Sequence, residues 1–385
     1  MRISRAIADI FRDRIVPGIR RAGEVAELDA RVVRRIGTEA RTAAHRAETA
    51  DRAGARQILG SRTDAIGGSL REPGVPAPQR TVSRQPPDDE TPSDVIENRS
   101  AALGLNTPSQ RAMESSLFID EPVHHAALIS GHPRPDLMFG EKAWAGYLDA
   151  RAFSRRNGDR ELSMPFITEL HQRVARFEGP GGGVIAVRER WFICGRPVTP
   201  EEIANVEANP LLARIPDGTV PLKPNIGAVF YKLKDPVVIR NELDSLCDWY
   251  NTARSAPGTD PYRLAAELQQ RFVSIHPYGD YNGRTSRLLM NWSLEHNGLS
   301  PSVLPDFNKD ILSSTDQWTD AVRAGSQTFA DRTDRLQQLG VSADPVQTFG
   351  LQDLQERYRN HNGETEPLGS GYHDVDWWRD FLEEL

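Results

Sequence analysis

A stretch dominated by proline and charge, REPGVPAPQRTVSRQPPDDE from Arg71 to Glu90, divides this sequence into two parts of different composition. Such a segment cannot bury enough apolar surface to become ordered, so it predicts a linker. Residues 1–90 as a whole contain one aromatic residue, Phe11, and no lysine. We therefore predict a disordered or partly helical, arginine-rich N-terminal arm at 1–90, with the folded body downstream.

The overall composition excludes several classes of protein. The chain has 385 residues and a net charge of -7, which argues against general binding to nucleic acid. No stretch approaches the roughly 18 consecutive apolar residues that a membrane helix needs, and MRISRAIADIFRDRI lacks the cleavage site of a Sec signal peptide. Cys194 and Cys247 are far apart, so neither a disulfide framework nor a zinc site is predicted. We expect a soluble protein with no nucleic-acid or membrane partner.

Apolar residues recur at helical spacing after the linker and predict a mainly α-helical body. TPSDVIENRSAALG has Pro92 in its first turn and Gly104 as its stop, and SMPFITELHQRVARF carries an apolar stripe. In contrast, GPGGGVIAVRERWFICG joins a glycine cluster to β-branched and aromatic residues, which predicts a short strand or hairpin at about 183–195.

The segment HPYGDYNGRTSR, residues 276–287, lies between two predicted helices and gathers groups that attract an anion. The second helix is predicted to start near Asn282, where free backbone N–H groups and the positive end of the helix dipole favour negative charge. Gly283 allows a phosphate to approach the backbone. Arg284 and Arg287, one helical turn apart, present guanidinium groups that suit phosphate oxygens.

Two further residues of this segment indicate chemistry as well as binding. The carboxylate of Asp280 is the kind of hard oxygen ligand that Mg²⁺ bridging phosphates requires. His276 has a side chain that can accept a proton near neutral pH. Taken singly, each residue more often serves a loop or a helix cap, but their convergence predicts a phosphate site with a base and a metal anchor.

The same segment resembles the signature H-P-F-x-D/E-G-N-G-R-x-x-R of the Fic family of protein-modifying transferases. The positions that match are His276, Pro277, Tyr278, Asp280, Asn282, Gly283, Arg284 and Arg287. The resemblance extends over most of Thr91 to about Ala330, and GVIAVR resembles the target-docking flap of the family. It implies a Fic-type helical bundle with a small β-hairpin flap.

The resemblance also implies an activity, which is transfer of AMP from ATP to a Ser, Thr or Tyr hydroxyl of a target protein. His276 is then the catalytic base, and Asp280 holds Mg²⁺. The residues implied to bind the α- and β-phosphates are Asn282, Gly283 and Arg284, and the residue implied to bind the γ-phosphate is Arg287.

Tyr281 departs from the family pattern, which usually has glycine at this position. A bulky residue beside the phosphates leaves the donor open, so transfer of UMP or phosphocholine is an alternative. Two other classes are also open, a metal-dependent phosphodiesterase and an inactive binding module.

A second resemblance concerns the segment SDVIEN, which fits the family's inhibitory motif S/T-x-x-x-E-G/N. It implies that Ser93, Glu97 and Asn98 lie on an inhibitory helix at 91–110, with Glu97 paired to Arg287 in place of the γ-phosphate. Alternatively, Ser93 is a helix cap and Glu97 is an ordinary acid of the first turn.

We therefore predict a Fic domain at 111–345 and an acidic tail at 346–385, in which HDVDWWRDFLEEL forms a short helix. Only five of the 47 basic residues are lysines, an arginine bias typical of GC-rich genomes. We expect a bacterial protein that acts in the cytoplasm or is delivered to a host cell as an effector. The target protein and the oligomeric state stay open.

Overall fold

The computed structural model describes residues 90–132, 134–179, 182–183, 185, 190–193, 199–210, 228–231, 236–306, 309–340 and 342–362. All of these residues belong to one compact unit that spans 84–385. Residues 1–89 of the predicted arm and the predicted tail helix at 373–385 lie outside the described residues.

The described residues are mainly helical, which confirms the predicted fold class. The helices are α1 (Pro92–Leu103), α2 (Pro108–Ser115), α3 (Glu121–Ile129), α4 (Glu141–Arg156), α5 (Met164–Ala175), α6 (Pro200–Ala208), α7 (Pro236–Ser255), α8 (Pro261–Ile275), α9 (Asn282–His296), α10 (Lys309–Leu312), α11 (Thr315–Leu339), α12 (Pro345–Phe349) and α13 (Gln352–Asn362), with a short 3₁₀ helix at Pro135–Leu137. Every helix in the described ranges is too short or too polar to cross a bilayer.

A two-stranded antiparallel sheet formed by β1 (Arg190–Ile193) and β2 (Ala228–Tyr231) accompanies the helices. Strand β1 lies inside the predicted flap, but its partner β2 comes only after the segment 194–227. The β-branched and aromatic residues therefore marked a strand, although they did not identify its partner, because such residues favour any pleated surface.

The caps explain where the helices around the motif begin and end. The Asp260 carboxylate accepts a hydrogen bond from the backbone N–H of Tyr262 at the start of α8, and α9 begins at Asn282 as predicted. At the start of α1 the cap is Thr91, whose side chain accepts from the N–H of Asp94. The alternative in which Ser93 caps this helix is therefore wrong.

The main core forms between α4, α5, α7, α8 and α9, where the apolar stripes of these helices face one another. Burial of such side chains contributes about 1.5–3 kcal/mol each. The largest members of this core are Phe118, Trp144, Tyr147, Phe153, Phe166, Tyr250, Phe272, Tyr278 and Trp292. Because α8 and α9 both contribute to this core, the loop between them is held from two sides.

A buried ionic cluster centred on Asp149 joins α1 to α4 and α5. The Asp149 carboxylate is fully buried and accepts hydrogen bonds from Arg99 Nε at 2.8 Å, Arg173 Nη1 at 3.2 Å and Arg176 Nη1 at 3.5 Å. Glu90 adds a second carboxylate, 3.2 Å from both Arg99 Nη2 and Arg176 Nη1. One carboxylate of α4 thus ties α1 to the end of α5.

We predict that Asp149→Asn lowers the free energy of unfolding by about 3 kcal/mol, because removing one member of a buried ionic cluster leaves the other charges uncompensated. Urea unfolding measures this change. The matched control is Asp320→Asn, since Asp320 pairs with Arg323 while 77% exposed and its loss is expected to cost at most about 1 kcal/mol. Equal losses in the two variants would contradict the prediction.

Candidate functional site

The loop of residues 276–281, which joins α8 to α9, is closed by the side chain of Asn282. The Asn282 Oδ1 accepts from the backbone N–H of Tyr278 at 3.0 Å, and its Nδ2 donates to the Tyr278 carbonyl at 2.8 Å. Asn282 is only 2% exposed. Its side-chain amide is therefore engaged in shaping the loop.

The first turn of α9 offers backbone donors to an anion. The carbonyl of Tyr281 accepts from both the N–H and the hydroxyl of Thr285, each at 3.0 Å. Within the described ranges, the backbone N–H groups of Gly283 and Arg284 have no hydrogen-bond acceptor. A Cβ atom at Gly283 would lie 3.3 Å from Arg287 Nη1, so this guanidinium folds back against the helix start. Both features favour binding of an anion here.

His276 ends α8 in the left-handed conformation, with φ 54°. Its Nδ1 lies 3.1 Å from the carbonyl oxygen of Val273, a distance at which the ring donates a hydrogen bond from Nδ1. In this tautomer of the neutral imidazole, the lone pair is on Nε2. The contact therefore orients the ring and assigns the basic nitrogen.

Asp280 is exposed at the tip of the loop. Its Oδ1 accepts from the backbone N–H of Tyr281 at 2.8 Å, which orients the carboxylate. The described residues contain no cluster of three or more histidine, cysteine, aspartate or glutamate side chains that could hold a metal. A single oriented carboxylate fits Mg²⁺, which is usually bound by one or two carboxylates together with substrate phosphates.

His171 of α5 connects this loop to the glycine-rich turn before the sheet. The backbone N–H of Gly183 donates to His171 Nδ1 at 2.7 Å, so His171 Nε2 carries the hydrogen and donates to the Asp280 carbonyl at 2.9 Å. The ring stacks on Tyr278 with centroids 3.8 Å apart. Burial lowers the pKa of His171, against the raising effect of Asp280, and this favours the neutral tautomer. The backbone of Ile185 also forms an antiparallel bridge with Tyr278.

Arg287 is half-buried, and acidic residues of other elements lie near it. Burial lowers its pKa to about 10, although the carboxylates of Asp120 and Asp310 act in the opposite direction. Burial raises the pKa of Asp310 to about 7, against the lowering effects of the Ile311 N–H and of Arg287. These two acids were not recognised in the sequence, because neither belongs to the motif or to a local pattern.

Arg284 has a different environment, made of one carboxylate and two aromatic rings. Its Nη1 donates to Glu178 Oε2, and its Cζ lies 5.3 Å from the ring centroids of both Phe118 and Tyr281. Tyr281 has φ 59°, in the left-handed region that favours glycine, and a non-glycine residue there costs roughly 1–2 kcal/mol. A cation–π contact contributes about 0.5–1 kcal/mol, which offsets part of this strain.

The residues of the inhibitory motif lie on α1 but do not reach the arginines. Ser93 Oγ donates to Glu141 Oε1 at 2.6 Å, and Asn98 Nδ2 lies 3.5 Å from Glu90 Oε1. Glu97 is exposed, and among the described residues no ion pair joins it to Arg287. The structure thus gathers the residues of 276–287 at one loop and helix start, without Glu97.

Comparisons with known proteins match the part of the chain that contains this loop. Residues 161–294 match the sequence profile of the Fic/DOC family. A uridine 5'-monophosphate transferase of Xanthomonas campestris is 37% identical over 71 residues, 17% of this chain and 13% of that protein. The protein adenylyltransferase fic-1 of Caenorhabditis elegans is 37% identical over 70 residues, 18% of this chain and 14% of that protein. The chain thus spans only a small part of the length of these relatives.

Solved structures of the same family are more distant in sequence. Fic-1 from C. elegans is 19% identical to this chain, with a TM-score of 0.34, and the superposition covers 62% of this chain and 70% of that chain.

We predict that His171→Phe lowers the free energy of unfolding at pH 7 by about 1–3 kcal/mol, because the ring can still stack while Gly183 N–H and the Asp280 carbonyl lose their partner. The variant should also lose less stability than the parent when the pH falls from 7 to 5.5. Below pH 6.5 the unfolded parent protonates His171, whereas the folded protein, with its lowered pKa, resists protonation.

Urea unfolding at the two pH values checks both parts of this prediction. The other histidines titrate in parent and variant alike, so their contribution cancels in the difference. An identical acid-induced loss in the two proteins would show that His171 is not held neutral by its contacts.

Proposed function

Because this chain is a Fic/DOC family protein, we propose that it is a protein nucleotidyltransferase that transfers AMP from ATP to a hydroxyl side chain of a target protein. One observation carries the proposal: a six-residue loop and the start of α9 bring together a ring nitrogen with a defined lone pair, an oriented carboxylate and backbone N–H groups that have no acceptor among the described residues. Transfer of a phosphorus group needs little more than correct placement and neutralisation of charge.

The proposed reaction uses His276 as the base. Its Nε2 takes the proton of the target hydroxyl as that oxygen attacks the α-phosphorus of the donor. The bond between the α-phosphorus and the bridging oxygen breaks, and pyrophosphate leaves with the electron pair. The product is a target protein that carries AMP through a phosphodiester bond.

The donor is held by the start of α9 in this proposal. The N–H groups of Gly283 and Arg284 and the side chains of Arg284 and Arg287 bind the phosphate oxygens. Asn282 contributes through the loop that it closes. A Mg²⁺ ion bound at Asp280 supplies charge neutralisation for the phosphates, and the Asp280 carboxylate is the protein ligand that holds it.

The target is expected to meet the protein at the two-stranded sheet. An extended segment can add to the edge of a sheet through backbone hydrogen bonds, which gives affinity without requiring a particular side chain. The bridge between Ile185 and Tyr278 supports this placement, because it connects the backbone before β1 to the loop that carries His276.

Transfer of UMP is the second candidate function. The relative from Xanthomonas campestris, which is 37% identical over its matched residues, is a uridine 5'-monophosphate transferase. Tyr281 at the phosphate loop also distinguishes this chain from the family pattern. The donor is therefore the first property to test.

We predict that the protein labels itself or a target protein when incubated with Mg²⁺ and α-³²P-labelled ATP, and that His276→Ala reduces the label by about 10²- to 10⁴-fold through loss of the base. Parallel reactions with UTP, GTP and CTP identify the donor. The matched control is His296→Ala, which removes a histidine from the other end of α9 and should retain labelling.

The alternatives give different results in the same assay. Label with UTP but not with ATP would replace AMP by UMP in the proposal. Cleavage of added nucleic acid without labelling would indicate a phosphodiesterase. Absence of both reactions with every nucleotide would indicate a binding module.

We also propose that α1 inhibits the reaction through Glu97. Since Glu97 is exposed and not paired with Arg287, this inhibition requires α1 to bring its carboxylate closer to the arginine. We predict that Glu97→Gly raises automodification several-fold, by removing a negative charge that competes with the γ-phosphate.

The control for this prediction is Ala101→Gly, on the same helix. Glycine weakens an exposed helix by about 1 kcal/mol at either position, but only Glu97→Gly removes a carboxylate. An equal rise in both variants would attribute the effect to loosening of α1. No rise in either would contradict self-inhibition by this helix.

A further inference from the structure

Glu178 contacts Arg284, one of the two arginines of the motif. It lies just after the end of α5, and its Oε2 accepts from Arg284 Nη1. Phe118 and Tyr281 place their rings on the same guanidinium. Arg284 is thus held by one anion and two aromatic rings, contributed by three separate parts of the chain.

The rings fix the position of the guanidinium. Phe118 is 1% exposed and packs against Phe139, Trp144 and Tyr147, so one ring of the pair belongs to the main core. The other ring comes from Tyr281, the residue that departs from the family pattern. Its left-handed backbone at the start of α9 places this ring 5.3 Å from Arg284 Cζ.

The Glu178 carboxylate opposes binding of a phosphate to Arg284. Arg284 is positioned at the start of α9, but part of its charge is already neutralised by Glu178. The side chains of the pair are 23% and 22% exposed, so water screens the interaction and a polyphosphate with several charges can displace the carboxylate. An exchange of anions at Arg284 therefore needs no rearrangement of the rings.

We propose, on the basis of the proposed function, that Glu178 competes with the donor's phosphates for Arg284 and so sets the affinity for the donor. Phe118 and Tyr281 hold the guanidinium in place while the anion changes. This role is distinct from that of Glu97, which is on α1 and does not contact either arginine of the motif.

The test is isothermal titration calorimetry of Glu178→Gln with two probes, ATP in the presence of Mg²⁺ and inorganic tripolyphosphate. Glutamine preserves the size of the side chain and keeps one oxygen that can accept a hydrogen bond, but removes the charge. We expect both probes to bind about five-fold more tightly to the variant, the change that corresponds to loss of one partly exposed ionic competitor. Because tripolyphosphate has no nucleoside, it shows whether the gain in affinity comes from contacts with the phosphates rather than with the adenosine.

The matched control is Glu169→Gln. Glu169 belongs to α5, is 25% exposed and pairs with Arg173 rather than with Arg284. The Glu169→Gln substitution removes the same charge from the same region, and we expect the affinity of this variant for both probes to equal that of the parent protein. A gain of equal size in this control would attribute the effect to net charge and overturn the proposal.

Unchanged or weaker binding by Glu178→Gln would also overturn the proposal, and so would absence of measurable binding by both parent and variant. These outcomes differ from failure of the proposed function. Tighter binding without transfer of label from any nucleotide would leave Glu178 as a competitor and reject the transferase. Transfer of label with unchanged affinity would support the transferase and reject the role of Glu178.

Discussion

The two hydrogen bonds between the Asn282 amide and the backbone of Tyr278 determine the shape of the whole site. They close the loop in a buried environment, where an unpaired amide would be destabilising by about 1–3 kcal/mol. A loop conformation that broke these bonds would therefore be disfavoured. With the loop closed, α9 starts at the point where α8 has just ended. The donors of α9 and the ring of His276 consequently lie on either side of the same short connection.

Residues outside the motif also hold the loop and its side chains in position. His171 fixes the Asp280 carbonyl from α5, while Phe118 and Tyr281 fix the guanidinium of Arg284. The Asp149 cluster acts at greater distance, because it anchors α1 and the end of α5, the helix that precedes Glu178. The site therefore depends on packing between helices that are far apart in the sequence.

The sequence predicted the helical body and the start of α9 within the motif, because these depend on residues that are close in the chain. Asn282 began α9 as expected. The partner of β1 and the roles of His171 and Glu178 could not be predicted, since each depends on which faces of distant elements meet. His171 was part of an ordinary amphipathic pattern, and only the glycine cluster that follows its helix hinted at a close approach.

The two arginines of the motif are balanced by acids in different ways. Arg287, although its pKa is lowered to about 10 by burial, remains protonated near neutral pH, and it faces Asp310, whose pKa is raised to about 7. The negative charge of ionised Asp310 would oppose binding of an anion at Arg287. Partial protonation of Asp310 near neutral pH reduces this opposing charge. Arg284 faces Glu178 at a more exposed position, where water and a polyanion can both reach the pair. Both arginines of the motif thus have an acid nearby that lies outside α1: Asp310 of α10 for Arg287, and Glu178, just after the end of α5, for Arg284.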